Sequence, residues 1–254
     1  MVYGGAGTVG RTVAGAFARE GAKVFLAGRT LATLEAVAGD IRAAGGEAES
    51  AQVDALNPEA VDAHADAIAK TTGRIDISFN AIGHDDIHGM PIVEMQFDDF
   101  VRPIEIAVKS QYLTARAAAR HMSPRGSGVI MAITATTARL AVPEVGGTGV
   151  AFDAIESLCR QLAGELGPRG IRVAWLRTTG LPEALADIDL FPAYGTDSGG
   201  MTREELITWL KSKTMLNRLA SLSEVGNMAA FLASDRASAI TGCAMNLSCG
   251  SVAG

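Results

Sequence analysis

The sequence predicts a doubly wound α/β domain, a parallel sheet of about seven strands with helices on both faces. Two observations carry that prediction. Apolar runs of strand length alternate with helix-length segments along the 254 residues, the order that parallel strands joined by crossover helices require. The first run, Met1-Val2-Tyr3, also breaks at once into Gly4-Gly5-Ala6-Gly7-Thr8-Val9-Gly10 before an alanine-rich helical pattern. Glycines there let the chain turn sharply, bring backbone N–H groups to a pyrophosphate and aim a helix N-terminus at its charge. The loop reads as Gly5-x-Gly7-x-x-Gly10 or as Gly4-x-x-Gly7-x-x-Gly10, the signature of a dinucleotide-phosphate loop.

The elements follow in order. Only three residues precede Gly4, so the first strand is brief or cut short. A helix from Arg11 to Glu20 ends at Gly21, and Val24-Phe25-Leu26-Ala27 then leads to Gly28-Arg29-Thr30. An NAD site usually has an acid at the end of this second strand to hold the ribose diol, whereas Arg29 suits the 2′-phosphate of NADP. The reading is therefore NADP(H) before NAD(H). Strands over Glu49 to Val53, Ile75 to Phe79, Gly128 to Ile133 and Ile171 to Leu176 lead to Asp54, Asn80, Thr134 and Arg177. Their following loops face one cleft beyond the strand C-termini. Helices are expected at Leu31–Ala44, Pro58–Thr71, Phe97–Met122, Gly149–Leu166 and Ser223–Ser234. Leu181 to Leu219 form a lid with a helix around Thr202–Lys213, after the glycine-containing stretch Tyr194–Gly200. Its Leu185, Ile188, Leu190, Phe191, Trp209 and Met215 suit an apolar substrate or plain packing.

Composition narrows the function. A net charge of −6 and no basic stripe argue against a nucleic-acid partner, and no apolar run reaches the length of a membrane span. Cys159, Cys243 and Cys249 have neither metal-ligand spacing nor an even count. No metal site is expected. With no signal peptide visible, a cytoplasmic location is the expectation.

Several segments together resemble the short-chain dehydrogenase/reductase superfamily, in its compact single-domain branch. They are the Gly4–Gly10 loop, Ala27-Gly28-Arg29, Asp54, Asn80-Ala81-Ile82-Gly83, Gly170-Ile171-Arg172-Val173, Phe231-Leu232-Ala233-Ser234-Asp235 and Ile240-Thr241-Gly242. The resemblance implies that Gly4, Gly7, Thr8, Val9, Gly10, Arg29, Asp54, Asn80, Ala81 and Gly83 border the cofactor, with Asp54 at the adenine. It also implies a homodimer or homotetramer built on Phe97–Met122 and Gly149–Leu166, where alanines at 115, 117, 118 and 119 allow close helix approach.

The departures from the family are as informative. Its enzymes use an asparagine, a serine, and a tyrosine four residues before a lysine, the tyrosine moving the proton as hydride moves. By register these positions fall on Ala107, Ala135, Thr148 and Phe152. No tyrosine lies between Tyr112 and Tyr194, and no lysine between Lys109 and Lys211, so no shifted pair exists in that region. The usual Pro-Gly after the sixth strand is Thr178-Thr179, and Tyr3 and Thr8 replace a threonine and a glycine of the usual loop. The two histidines and two carboxylates of His84-Asp85-Asp86-Ile87-His88 could serve as acid and base or bind a metal ion, with His84, Asp85 and His88 the candidate substitute proton carriers. Arg139, Asp153 and Arg177 are further candidates for the cleft, Arg177 as the binder of an anionic substrate. Two readings stay open: an oxidoreductase with unconventional proton donors, or an inactive or non-redox protein that keeps the cofactor cleft.

Overall fold

The computed structural model describes residues 1–185 and 202–253. The expected lid residues Ile188, Leu190 and Phe191, and the stretch Tyr194–Gly200, lie outside the described residues.

The strands are β1 (Val2–Tyr3), β2 (Lys23–Gly28), β3 (Glu47–Gln52), β4 (Ile77–Asn80), β5 (Gly128–Ala135), β6 (Ile171–Thr178) and β7 (Ala244–Leu247). The helices are α1 (Thr8–Arg19), α2 (Leu31–Ala43), α3 (Pro58–Thr72), α4 (Phe97–Met122), α5 (Thr148–Leu166), α6 (Arg203–Ser212) and α7 (Leu222–Ala233). The strands form one seven-stranded sheet in the order β3-β2-β1-β4-β5-β6-β7, every pair parallel. Chain direction across the sheet reverses between β1 and β4, where a ligand cleft is expected in such sheets. β1 is two residues long yet lies in the middle, with Tyr3 paired to Asn80. Gly4 and Ala81 therefore leave the sheet side by side.

Strand alternation divides the core into two layers. Ile130, Ala132 and Trp175 point to the face covered by α3, α4 and α5, where Ala107, Ala151, Ile155 and Cys159 are buried. Val129, Met131 and Leu176 point to the face covered by α1, α2 and α7, where Val13, Phe17, Leu34 and Leu232 are buried. Ala115, Ala117, Ala118 and Ala119 are all buried within the single chain. They set the close approach of α4 to its own neighbours, which corrects their assignment to a contact between subunits.

Two boundary shifts bear on the cleft. α1 starts at Thr8 rather than Arg11, because the glycine loop winds straight into the helix with the Arg11 N–H on the Gly7 carbonyl at 2.8 Å. β5 and β6 run two residues further than their apolar runs, pairing Thr134 with Arg177 and Ala135 with Thr178. Polar residues thus continue the sheet up to the mouth of the cleft.

Candidate functional site

The glycine loop is built so that side chains cannot be added. Gly4 has φ +71°, and a Cβ there would lie 2.4 Å from the Ala81 carbonyl oxygen; a Cβ on Gly10 would lie 2.1 Å from the Gly4 carbonyl oxygen. The loops after β1 and β4 are in backbone contact as a result. The Gly4 and Gly5 N–H groups donate to the Ala27 carbonyl and the Gly7 N–H to Gly4. This leaves the first turn of α1, from Thr8 through Val9 and Gly10, as the amide-rich end that can meet an anion. Thr8 Oγ1 accepts from Arg11 Nη2 at 3.1 Å.

Beside this loop lies a cavity of about 220 Å³ that collects Gly4, Gly7, Arg29, Asp54, Ala81 and Gly83, with Asp85 on its wall. That volume is below the roughly 300–1,000 Å³ of whole-ligand sites, so it can enclose only part of a dinucleotide. Arg29 is exposed at the end of β2. Asp54 Oδ1 accepts from the Leu56 N–H at 2.9 Å, which shapes the turn after β3. Asn80 is buried; its Oδ1 accepts from the Ile82 N–H at 2.9 Å, and its Nδ2 donates to Thr114 at 3.2 Å and Ser110 at 3.4 Å on α4. Asn80 thus pins the turn after β4 to the helix behind it. The glycine cradle, the amide-rich helix end and the guanidinium at the pocket rim fit the phosphate and adenosine half of a nicotinamide dinucleotide.

Further along the cleft, the segment 83–95 folds over the start of α5. His88 Nε2 lies 2.8 Å from Thr148 Oγ1, the pair sharing a proton according to the imidazole tautomer. The His84 ring meets Phe152 edge-on, with centroids 5.2 Å apart and planes at 62°. Two backbone features latch the segment down: the Gly89 N–H donates to the Glu144 carbonyl at 2.8 Å, and a Cβ on Gly146 would come within 2.9 Å of the Ile87 carbonyl oxygen. Asp85 goes the other way, at φ +55°, into the wall of the cavity beside the glycine loop. The three candidates of this loop are thus split: both imidazoles reach α5, and the carboxylate does not. Burial lowers the pKa of both histidines, and the nearby carboxylates of Asp86, and for His84 also Asp85, only partly restore it. Both rings are neutral at pH 7. Ala107 is fully buried in α4, and Ala135 ends β5 half-buried.

Arg177 does not bind an external anion. Its Nε and Nη2 donate to Glu156 Oε1 and Oε2 at 2.7 and 2.6 Å, with side-chain exposures of 5% and 0%. Burial by itself raises the Glu156 pKa, but the hydrogen bonds and charge of Arg177, joined by the Thr134 hydroxyl, hold it below the usual carboxylate value. The sequence reading missed Glu156. Its signal was an acid one residue after Ile155, on the α5 stripe that also buries Ala151 and Cys159. Arg139 also reaches Glu156, at 3.2 Å, whereas Asp153 is exposed on α5. Past β6, Thr179 exchanges a hydrogen bond with Thr136 at 2.8 Å and with Ser251, so hydroxyls occupy the bend where a Pro-Gly was expected. Among the described residues no group of three or more His, Cys, Asp or Glu is arranged to hold a metal ion, and no helix is long and apolar enough to cross a membrane.

A parallel sheet with a glycine cradle at its switch point and a cavity beside it has the architecture of a dinucleotide-binding domain. Residues 4–251 match a family model described as enoyl-(acyl carrier protein) reductase. The chain belongs to the short-chain dehydrogenase/reductase superfamily, whose members bind NAD(P)(H). It is similar to secoisolariciresinol dehydrogenase of Forsythia intermedia, 31% identical over 255 residues, 95% of this chain and 84% of that protein. The structure is similar to that of sorbitol-6-phosphate 2-dehydrogenase SrlD from Erwinia amylovora, with a TM-score of 0.90, 27% identity and coverage of 99% and 98% of the two chains. It is also similar to NAD+-bound xylitol dehydrogenase, with a TM-score of 0.89, 25% identity and coverage of 98% and 96%.

Proposed function

We propose that the protein is an NADP(H)-dependent oxidoreductase in which His88, acting through Thr148, handles the proton that family members move with tyrosine and lysine. The observation that carries this reading is the 2.8 Å contact between His88 Nε2 and Thr148 Oγ1, at the position where the family resemblance sets the tyrosine. The Gly4–Gly10 loop and the start of α1 would hold the pyrophosphate, Arg29 the 2′-phosphate, and Asp54 with Ala81 and Gly83 the adenosine. When bound, NADP(H) supplies or accepts hydride. A threonine hydroxyl is too weak an acid to carry a proton alone near neutrality. With the neutral imidazole behind it, Thr148 can take a proton from a substrate alcohol as its own passes to His88, and the reverse transfer serves carbonyl reduction. Ala107 and Ala135 supply no polar group, so the rate is expected to be modest. A homo-oligomer that uses the exposed Val108 and Tyr112 of α4, and a cytoplasmic location, belong to the same reading.

One observation favours a second, non-redox reading. Phe152, at the family's lysine position, packs its ring on His84, which sets apolar surface where a ribose diol would need donors. Calorimetric titration with NADPH and NADH, followed by a carbonyl screen for loss of NADPH absorbance, separates the two. NADPH binding with oxidation supports the first reading; binding without oxidation supports the second; no binding of either nucleotide at millimolar concentration defeats both.

A further inference from the structure

We infer that Arg139 recognises an oxyanion, a carboxylate or a phosphate, on the substrate of this cleft. The inference takes its substrate from the redox reading above, but its binding arm stands apart from hydride transfer.

The argument begins with position. β5 ends at Ala135, one turn of 3₁₀ helix covers Thr136–Ala138, and Arg139 follows it on the side where the strand C-termini open. Its guanidinium lies against Glu156. Thr148, Phe152 and Glu156 recur at intervals of four along α5, so Glu156, the residue that Arg139 contacts, lies about 6 Å along the helix axis from Phe152 and about 12 Å from Thr148.

Charge is the second strand. Glu156 carries one negative charge, which the buried Arg177 already meets through two short hydrogen bonds. Adding Arg139 leaves the three-residue cluster with a net charge of +1. That charge resides on the only exposed member: the Arg139 side chain is 43% accessible, against 5% for Arg177 and 0% for Glu156. Arg139 spends one N–H, on Nη2, at Glu156 Oε2, and no other described residue engages its guanidinium. A guanidinium has five donors, so a fork remains for a planar or tetrahedral oxyanion. Glu156 serves as a tether that orders the long side chain before a ligand arrives, which lowers the entropy cost of binding.

The test compares 10-oxodecanoate, its methyl ester and the matched oxoalkylphosphonate, chains long enough to span the roughly 12 Å from Thr148 to Glu156. Their binding to the protein saturated with NADP+ is measured by calorimetry, and their reduction by NADPH is measured separately. The inference predicts that the acid or the phosphonate binds about tenfold or more tightly than the neutral ester, and comparison of the two anions distinguishes a carboxylate from a phosphate site. In Arg139→Gln the ratio falls to about one. Arg139→Lys, which keeps the charge without the planar fork, retains part of it. Equal binding of acid and ester, no binding of any of the three, or a preference that survives in Arg139→Gln overturns the inference. Arg139-dependent binding of the anion without NADPH oxidation upholds it and removes the hydride reading instead.

Discussion

Replacing Glu156 by leucine tests the energetic core of the site. The substitution keeps a side chain of similar size but removes the acid that pairs with Arg177, whose side chain is 5% exposed. Two charge-assisted hydrogen bonds of 2.7 and 2.6 Å disappear, and the guanidinium stays buried without a counter-charge. Breaking a buried pair from one side costs about 3–5 kcal/mol. For a chain of this size each kcal/mol moves the melting temperature by roughly 2–4 °C, so the midpoint should fall by roughly 6–20 °C. The double variant Glu156→Leu with Arg177→Leu should recover most of that loss, because it removes both desolvated charges. Circular-dichroism melts and urea titrations of the parent and both variants measure the effect. A single variant that melts within about 2 °C of the parent, or a double variant less stable than the single one, would refute the buried-pair account.

Other outcomes follow from the same geometry. Gly10→Ala sets a Cβ 2.1 Å from the Gly4 carbonyl oxygen and should weaken NADPH binding by at least about tenfold, a shift of ~1.4 kcal/mol, with calorimetry as the check. Arg29→Ala should weaken NADPH about tenfold while barely altering NADH; equal losses would argue against a 2′-phosphate role. His64 is held neutral in the fold by burial, with its pKa lowered to about 4, while the unfolded side chain titrates near 6.5. Its burial therefore costs nothing above pH 6.5 and destabilises the fold progressively as pH falls to 4, by roughly 3 kcal/mol at most; urea midpoints of the parent and His64→Phe at pH 7 and pH 4.5 should diverge only in acid. His88 is likewise lowered by burial, so alcohol oxidation should keep its kcat/KM from pH 8 down past the ordinary histidine value and fall only below it. A fall centred at or above about 6.5 would exclude His88 as the base.

The parts of the site legible in the sequence are those encoded by local chemistry. The glycine spacing that announces the cradle is the same spacing that the backbone contacts of Gly4 with Ala81 and Gly10 with Gly4 require. The bounds of α4 at Phe97 and Met122 also emerge unchanged, because a long apolar periodicity ends there. What depends on distant pairing was not legible. Nothing near His88 in the chain announces Thr148, which is sixty residues away, and Asp85 separates from its neighbours only through a left-handed backbone turn. Arg177 reads as a free cation at a strand end until α5 brings Glu156 against it. β7, Ala-Met-Asn-Leu, is four residues long with little alternation of its own; its pairing with β6 makes it a strand.

The most direct test of the proposed proton chemistry is NADPH-linked turnover in His88→Ala, measured beside the NADPH dissociation constant of the same protein. General acid–base groups contribute about 10²–10⁴-fold to rate. The account predicts a loss of kcat in that range with NADPH affinity within about twofold of the parent. A parent that oxidises no NADPH with any carbonyl, or a His88→Ala variant that turns over at the parental rate, would contradict it.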